Sequence, residues 1–343
     1  MILNQNQLKF KVVVDAMGGD YAPLNVILGA VDAKKDEPGI TVLLAGNKKI
    51  VLDVIAKNKL DFPEEFIINA EEVIDMSETP TNAIKVKKNS SIVVGANMVR
   101  DKEAHAFVSA GNTGAVMAAS TLIIGRLKGV GRPTIGAAFP TAKGGFCHLY
   151  DVGASVDSKA NHLLEYAVMA DIFVREMYGI KSPRIGLLSV GEEESKGNAV
   201  SVAALRLMKN SKLNFAGNVE GRDILNGSVD IVICDGFVGN IILKFGESVI
   251  GFLKSKMKLF AEKNLLNKLK ALLSKGTLKS ALKEMDYQTH GGVPLLGING
   301  ISIIGHGSSS PLAIKNMILR AKEMYDKNLI KKFEESIKDY GEE

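Results

Sequence analysis

Residues 184–198 read RIGLLSVGEEESKGN, a short apolar run followed by a charged turn between two glycines. The run at residues 185–190 is typical of a buried strand, because it is short, apolar and ends at polar residues. Open α/β sheets place their ligand sites just beyond such strand ends. Lys196 and Glu192 in this turn are therefore candidate functional residues. The alternative is that the acidic residues only form the first turn of a helix that begins near Ser195.

The order of strand, glycine turn and helix recurs along the chain. Glycine accounts for 34 of 343 residues, which favours many tight strand-to-helix turns over a helical bundle. Apolar runs followed by turn residues predict strands at residues 9–14, 41–45, 66–69, 104–108, 135–139, 146–152, 214–223, 230–234 and 301–304. Helical patterns fall between most of them, so the sequence predicts an α/β fold with a largely parallel sheet.

Five predicted strand ends carry glycine beside polar side chains, at Asp15, Ser109, Lys196, Asn240 and His306. The carboxyl ends of parallel strands share one edge of a sheet, so we expect these turns to line one anion-binding cleft. Tight turns and helix caps use the same residue types, which is the alternative for each turn taken alone. The candidates for substrate binding are Asp15, Gly18, Gly19, Asp20, Gly111, Asn112, Thr113, Gly114, Arg132, Glu192, Gly239, His306 and Ser308.

Two of these turns suggest particular chemistry. The sequence AGNTG at residues 110–114 leads into a predicted helix, whose first N–H groups would favour a phosphate. Arg132 could add a bidentate contact to the same anion. The side-chain amide of Asn240 could donate to an oxyanion that develops during a reaction.

Composition limits the classes of function. Cys147 and Cys234 stand in apolar segments without a metal-binding spacing, so we expect two buried thiols, no metal and no cofactor. The N-terminal residues lack the basic start and apolar core of a signal peptide, and no run of 18 apolar residues occurs, so we expect a cytoplasmic protein. The net charge of +5 is modest, and we expect no nucleic-acid partner.

Most of the excess positive charge lies in residues 253–283, where nine lysines accompany Glu262 as the one acidic residue. Leucines recur there at helical spacing, which predicts two basic amphipathic helices that meet near Gly276. The alternative is ordinary dimer packing with a solvated lysine face. We expect residues 250–290 to contact a dimer mate, a membrane or an acidic protein, with Lys263, Lys268 and Lys270 in that contact.

Several motifs occur together and in order: DAMGGD at residue 15, SAGNTGA at 109, DVGA at 151, GEEESKGN at 191, GNVEGRD at 217, CDGFVGN at 234 and PLLGINGISIIGHGSS at 294. From about residue 11 to residue 318 the chain resembles the PlsX family, the bacterial phosphate acyltransferases. The resemblance implies a single two-lobed catalytic domain over residues 1–343. It also implies a three-layer α/β/α fold similar to that of isocitrate and isopropylmalate dehydrogenases, with a basic helical hairpin.

The resemblance also implies a reaction and partners. Orthophosphate would attack the thioester of a fatty acyl group on acyl carrier protein, reversibly, in phospholipid biosynthesis. Lys196 and Asn240 would be the catalytic residues, stabilising phosphate and oxyanion. A homodimer, peripheral membrane contact and functional coupling to a membrane glycerol-3-phosphate acyltransferase are implied as well. Ser155, Thr289 and His290 depart from the usual pattern of the family, near the acyl entrance that the resemblance implies.

Two other functions compete with this one. A nicotinamide-dependent decarboxylating dehydrogenase shares the implied fold, but it needs aspartates grouped for Mg²⁺ and a cofactor fingerprint, neither of which the sequence displays. A non-catalytic adaptor built on a degenerate enzyme fold would not be expected to retain Lys196, Asn240 and every glycine turn.

Overall fold

The computed structural model describes residues 10–281 and 291–341. The chain divides into two compact units. Unit 1 takes its described residues from Met1–Pro133, Ile172–Lys181 and Tyr287–Glu343, and unit 2 from Thr134–Asp171 and Ser182–Asp286. Thr289 and His290 lie outside the described residues, as does Lys283 of the basic segment. The single two-lobed catalytic domain stays a prediction.

Strands and helices alternate through most of the described chain. The strands are β1 (Lys11–Asp15), β2 (Thr41–Gly46), β3 (Ile67–Asn69), β4 (Ala106–Ser109), β5 (Thr134–Pro140), β6 (Phe146–Tyr150), β7 (Ile185–Leu188), β8 (Phe215–Val219), β9 (Ile231–Ile233), β10 (Val293–Leu296) and β11 (Ile301–Ile304). The helices are α1 (Leu24–Asp36), α2 (Lys48–Lys57), α3 (Pro80–Val86), α4 (Ser91–Arg100), α5 (Thr113–Ala119), α6 (Ala160–Tyr178), α7 (Ala199–Lys209), α8 (Gly221–Asn226), α9 (Gly236–Ala261), α10 (Leu265–Ala281), α11 (Pro311–Asp326) and α12 (Leu329–Gly341).

The strands of unit 1 lie in the order β3-β2-β1-β4-β11-β10. All neighbours are parallel except β10, which runs antiparallel to β11. Val12, Val13 and Val14 of β1 are fully buried, as expected for a parallel strand covered on both faces. The carboxyl ends of β1, β4 and β11 therefore lie at one edge of this sheet, which places the turns after Asp15 and Ser109 close together.

The strands of unit 2 lie in the order β5-β6-β9-β7-β8. Strands β6, β9, β7 and β8 are parallel, and β5 is antiparallel to β6. The core includes Leu149, Ile185 and Ile231, which are all fully buried. Lys196 follows β7 and Asn240 follows β9, so both lie beyond the carboxyl ends of neighbouring strands. Cys147 and Cys234 are buried free thiols, which confirms that prediction.

One alternative and two local predictions are wrong. The helix after Lys196 begins at Ala199 with Asn198 as its N-cap, so the acidic residues of the turn precede the helix and do not form its first turn. Helix α9 begins at Gly236 because the Asp235 side chain accepts from the N–H of Val238, which places Asn240 inside the helix and not in a turn. The junction of α9 and α10 lies at residues 262–264, and Gly276 is inside α10.

Helices α9 and α10 contact each other and expose many apolar side chains. On α9, Phe237, Ile241 and Phe245 are 59%, 53% and 70% exposed. By length and composition alone, α9 could cross a membrane, and only 12% of its most apolar window is buried. The predicted pair of basic helices is thus present, and exposed apolar side chains accompany its lysines.

The packing at the start of α9 generates a prediction about two of its glycines. A Cβ atom on Gly239 would lie 1.8 Å from the carbonyl oxygen of Asp151, whereas one on Gly251 would meet nothing within 4 Å. We expect Gly239→Ala to lower the free energy of unfolding by about 1–3 kcal/mol or more. Gly251→Ala should instead raise it by about 0.5–1 kcal/mol, because alanine favours the helix. Urea unfolding of both variants checks this, and equal effects would contradict the close approach at Gly239.

Candidate active site

The carboxylate of Asp15 ties the first turn of unit 1 to the turn after β4. It is 1% exposed. Its Oδ2 accepts a 2.6 Å hydrogen bond from the Ser109 hydroxyl, and its Oδ1 accepts one of 3.1 Å from the N–H of Met17. The Ser109 oxygen in turn accepts from the N–H of Gly111 at 3.0 Å. Burial raises the pKa of Asp15, and the Ser109 hydrogen bond partly lowers it again.

Gly18 and Gly19, which follow Asp15 in the chain, allow the turns after β1, β4 and β11 to contact one another. A Cβ atom on Gly18 would lie 2.3 Å from Asp15 Oδ2 and 2.7 Å from the backbone nitrogen of Gly111. Gly19 has a φ of +109°, a value that side chains disfavour. The N–H of Asp20 then donates to the carbonyl of Gly307 at 2.7 Å, which brings in the turn after β11. Three of the five predicted turns therefore meet in unit 1.

The side chain of Asn112 caps helix α5 and also bonds to the loop before α3. Its Oδ1 accepts from the N–H of Ala115 at the start of α5, at 3.0 Å. Its Nδ2 lies within hydrogen-bonding distance of the carbonyls of Asp75, at 2.9 Å, and Glu78, at 3.2 Å. The residue is 6% exposed, so its amide holds the loop before α3 against α5. The sequence offered no signal for this partner loop, because 34 or more residues separate the bonded groups.

The remaining candidates of unit 1 reach solvent or pack closely. Thr113, Arg132 and His306 are exposed, and His306 Nδ1 lies 2.8 Å from the hydroxyl of Ser308. No ion pair joins Arg132 to any of the residues that the structure describes, so its guanidinium is open to an anion. A Cβ atom on Gly114 would lie 2.5 Å from Pro80, so this glycine lets α5 and α3 pack together.

Ion pairs around the turn after β7 account for two of its three consecutive glutamates. Lys209 pairs with Glu194, and Arg222 lies 3.5 Å from Glu192. Lys196 is exposed and forms no ion pair with any residue in the described part of the chain. The acidic charges that flank Lys196 are thus partly offset by other cations, which leaves its ammonium group available to an external anion.

The backbone of this turn is compact. The N–H of Lys196 donates to the carbonyl of Glu193 at 3.0 Å, and the hydroxyl of Ser189 donates to the carbonyl of Lys196 at 3.1 Å. Gly197 has a φ of +119°, and a Cβ atom there would lie 2.2 Å from Ser201 Oγ. Glycine is therefore needed for the chain to leave the turn and enter α7.

Asn240 lies beside a turn that a second buried carboxylate organises. Asp151 is fully buried and accepts hydrogen bonds from the backbone N–H groups of Ile135, Gly153, Ala154 and Ser155. Burial raises the pKa of Asp151, and these N–H donors lower it. A Cβ atom on Gly153 would lie 3.5 Å from the Asn240 side chain, which is exposed. The Asn240 side chain thus lies against the backbone of the turn that Asp151 organises.

Ser155 departs from the family pattern in this turn, but the hydrogen bonds of the turn are kept. Its backbone N–H donates to Asp151 at 2.8 Å, and its carbonyl accepts from the N–H of Gly236 at 3.0 Å. Both bonds are made by the main chain, so a serine in place of asparagine preserves them. The sequence marks Asp151 as a strand end and as part of the DVGA motif, and neither signal shows that it accepts four backbone N–H groups.

The structure brings the candidates together in two sets. Unit 1 joins the turns of Asp15, Ser109 and His306, and unit 2 places Lys196 and Asn240 beyond neighbouring strands. That both sets line one cleft stays a prediction. Among the described residues no group of three or more His, Cys, Asp or Glu side chains is placed to hold a metal ion.

Known sequences identify the family to which this geometry belongs. A sequence model described as "Fatty acid synthesis protein" matches residues 10–332. The chain belongs to this family. The phosphate acyltransferase of Halothermothrix orenii is 46% identical over 97% of this chain and all of its own length. That of Pelotomaculum thermopropionicum is 45% identical over 95% of each chain. The predicted membership of the PlsX family and the predicted class of enzyme, an acyltransferase, are confirmed.

Solved structures support the fold. A phosphotransacetylase from Streptococcus pyogenes superposes with a TM-score of 0.60 and 18% identity, covering 93% of this chain and 95% of its own. The EutD phosphotransacetylase from Staphylococcus aureus gives a TM-score of 0.59 and 15% identity, covering 92% and 94%. The predicted three-layer α/β/α class with a largely parallel sheet is confirmed.

The buried Asp15 carboxylate generates a pH-dependent prediction. Its pKa is raised in the folded protein, so its contribution to stability is greatest below the unfolded pKa and is lost as pH rises through the folded pKa. Ser109→Ala removes a donor that favours the ionised form. We expect the loss in free energy of unfolding to grow from about 0.5–1.5 kcal/mol near pH 4 to about 1.5–3 kcal/mol near pH 8.

Ser302→Ala is the matched control for that experiment. Ser302 is also fully buried, and its hydroxyl lies 2.9 Å from that of Ser120, so the pair carries no charge. Its loss of stability should be the same at both pH values in urea unfolding. If the Ser109→Ala loss were equally independent of pH, the hydroxyl would not be acting on an ionising carboxyl group.

Proposed function

We propose that this protein transfers a fatty acyl group from acyl carrier protein to orthophosphate, reversibly, to give acyl phosphate and free carrier protein. The observation that carries the proposal is the ammonium group of Lys196, exposed beyond β7, while Glu192 and Glu194 beside it are paired with other cations. The relatives named phosphate acyltransferase support phosphate as the acceptor. The family description, fatty acid synthesis, supports an acyl group carried on acyl carrier protein.

The proposed chemistry needs positioning and charge stabilisation more than activation of a nucleophile. An oxygen of phosphate attacks the thioester carbon, the new C–O bond forms, and the C–S bond breaks to release the carrier thiolate. Phosphate is already nucleophilic, so no serine or cysteine of the protein is required. Lys196 would hold the phosphate, and the amide of Asn240 would donate to the oxyanion of the tetrahedral intermediate.

The remaining candidates for substrate binding fall into an exposed group and a buried group. In unit 1 we propose that Asp20, Thr113, Arg132, His306 and Ser308 contact substrate groups, since each reaches solvent at least in part. In unit 2 Glu192 would orient Arg222 beside the turn. The buried or close-packed positions would instead shape the backbone that presents N–H groups to an anion, namely Asp15, Gly18, Gly19, Gly111, Asn112, Gly114 and Gly239.

The Cys147 and Cys234 thiols are unsuited to catalysis. Burial raises the pKa of Cys147 to about 12, and it also raises the pKa of Cys234. A thiol is nucleophilic as the thiolate, which is scarce near neutral pH at such a pKa. The proposed reaction therefore proceeds without a covalent cysteine intermediate.

The proposed roles predict the effect of two substitutions. Lys196→Ala and Asn240→Ala should each lower kcat by roughly a hundredfold or more, as for other oxyanion and anion donors. Both side chains are exposed, so the proteins should fold, which circular dichroism would check. Acyl phosphate formed from acyl carrier protein thioester and phosphate is measured by trapping with hydroxylamine.

Two exposed residues of unit 2 supply matched controls. Lys212→Ala and Asn210→Ala remove the same side-chain types at exposed positions outside the turn at residues 191–198. Their kcat values should stay within about twofold of the parent, in line with ordinary surface substitutions. Near-parent turnover in folded Lys196→Ala or Asn240→Ala would remove that residue from the mechanism.

The basic helix surface, which we define as Lys263, Lys268 and Lys270, is proposed to contact acyl carrier protein or anionic lipid. All three lysines are exposed. Leu265, at the start of α10, is 86% exposed, so the lysines adjoin apolar surface of the kind that enters a lipid interface. We propose a cytoplasmic homodimer with peripheral membrane contact, coupled functionally to a membrane glycerol-3-phosphate acyltransferase.

Charge reversal tests the basic helix surface. Replacing Lys263, Lys268 and Lys270 with glutamate should weaken binding to acyl carrier protein or to anionic vesicles while the oligomeric state is unchanged. Added salt should weaken the parent likewise, since exposed charges are screened within about 10 Å at 0.1 M ionic strength. Co-sedimentation with vesicles and titration with acyl carrier protein give the two affinities.

The control reverses three exposed lysines of unit 1, Lys57, Lys59 and Lys88, and so changes net charge equally. That variant should bind as the parent does. If the helix-surface variant bound both partners normally at low salt, the three lysines would be only a solvated surface.

A further inference from the structure

Asn218 of β8 contacts the backbone of the turn that carries Lys196. Its Nδ2 lies 2.9 Å from the carbonyl oxygen of Glu193 and 3.5 Å from that of Lys196. The side chain reaches this turn from the neighbouring strand, 22 residues further along the chain. Asn218 is 7% exposed, although the turn that it contacts is exposed from residue 192 to residue 198. A buried amide thus holds an otherwise solvated loop.

An irregularity in β8 places this amide. Ile185 pairs with Phe215 and Gly186 pairs with Gly217, so Ala216 is an extra residue in β8. Gly217 has a φ of +102°. A bulge of this kind changes which side chains face a given side of the sheet, and bulges occur often beside active sites. The bulge thus allows Asn218 to contact the Lys196 turn while Val219 packs against Gly186.

The turn has few other bonds that would hold the carbonyl of Lys196. Ser189 donates to it from the end of β7 at 3.1 Å, and Asn218 approaches it from β8. The carbonyl of Glu193 accepts from both Asn218 Nδ2 and the N–H of Lys196. Donors just beyond β7 and on β8 therefore converge on the peptide groups next to the Lys196 side chain.

The other end of the Asn218 amide is unsatisfied. Its Oδ1 is buried and has no hydrogen-bond partner among the described residues. Buried acceptors without a partner are rare and reduce stability. The donor end is therefore the part of this side chain that the structure uses, and its acceptors lie in the turn of Lys196.

We propose that Asn218 is a positioning residue for acyl transfer, which acts by holding the turn at residues 193–196 so that the Lys196 ammonium meets the phosphate. This inference rests on the proposed function, since it assigns Asn218 a role through Lys196. Small displacements of a catalytic group are sufficient to lower turnover by about a hundredfold. A fixed backbone is needed here because lysine has a long, flexible side chain.

The test compares Asn218→Ala with Asn214→Ala. Asn214 lies in the same segment, and its Nδ2 donates to the carbonyl of Ser182 at 3.0 Å, away from the Lys196 turn. We expect Asn218→Ala to lower kcat by about ten- to a hundredfold and Asn214→Ala to change it by less than about twofold. Thermal unfolding of both variants reports any difference in stability.

A double-mutant cycle separates positioning from a general structural role. If Asn218 acts through Lys196, Asn218→Ala should cause no further loss of kcat in a protein that already carries Lys196→Ala. An equal loss of kcat in both backgrounds would overturn the inference, because the amide would then act independently of Lys196.

The near-isosteric Asn218→Asp variant covers the case in which Asn218→Ala does not fold. Its carboxylate would face the carbonyl oxygens of Glu193 and Lys196 without a donor, so kcat should again fall by about tenfold or more. Parent turnover in this variant would overturn the inference.

Failure of the proposed function and failure of this inference give different results for turnover. Parent turnover in Lys196→Ala would refute the role of Lys196, whereas loss there with parent turnover in folded Asn218→Ala would refute only the inference about Asn218.

Discussion

Two buried carboxylates at strand ends are the constraint on which much of the candidate site depends. Asp15 is the last residue of β1 in unit 1, and Asp151 follows β6 in unit 2. An ionised carboxylate is costly to bury unless donors surround it. Asp151 meets four backbone N–H groups, and Asp15 meets the hydroxyl of Ser109 and the N–H of Met17. Each carboxylate therefore gathers the loops that carry the candidate substrate-binding groups.

The same constraint explains glycines that resemble ligand-binding glycines in the sequence. A Cβ atom on Gly18 would lie 2.3 Å from Asp15 Oδ2, and one on Gly236 would lie 2.5 Å from Asp151 Oδ2. These glycines allow the backbone to approach the carboxylates. The N–H of Gly236 is itself bonded to the carbonyl of Ser155, so this glycine serves the packing of the turn.

Charge at the Lys196 turn follows a similar logic. Three consecutive glutamates would repel one another, and Lys209 and Arg222 partly offset them from outside the turn. Surface ion pairs of this kind contribute little to stability, typically about 0–1 kcal/mol. They matter here because two of the three carboxylates near Lys196, those of Glu192 and Glu194, are paired with other cations. The ammonium group is then suited to an anionic substrate.

Local sequence signals predicted most of the regular structure and the residues at its ends. Strand β11 has the bounds that its apolar run and turn residues predicted, and the motif around Lys196 pointed to the family. These signals are short-range, because helix periodicity and caps involve residues three or four positions apart. Asn240 shows the limit of local patterns. Its flanking glycines resemble a turn, but the Asp235 cap begins the helix before them.

The partners of Lys196 and Asp15 depend on tertiary packing. The bond from Asn218 to the Lys196 turn depends on a one-residue shift between β7 and β8, and the bond from Ser109 to Asp15 joins residues 94 positions apart. Strand order and bulges arise from packing of the whole sheet, so no local pattern around Asn218 or Ser109 encodes their partners. The sequence by itself determined the elements, the family and the candidate catalytic lysine. The fold decided how the backbone around that lysine is held, because hydrogen bonds between distant strands exist only once the sheet has formed.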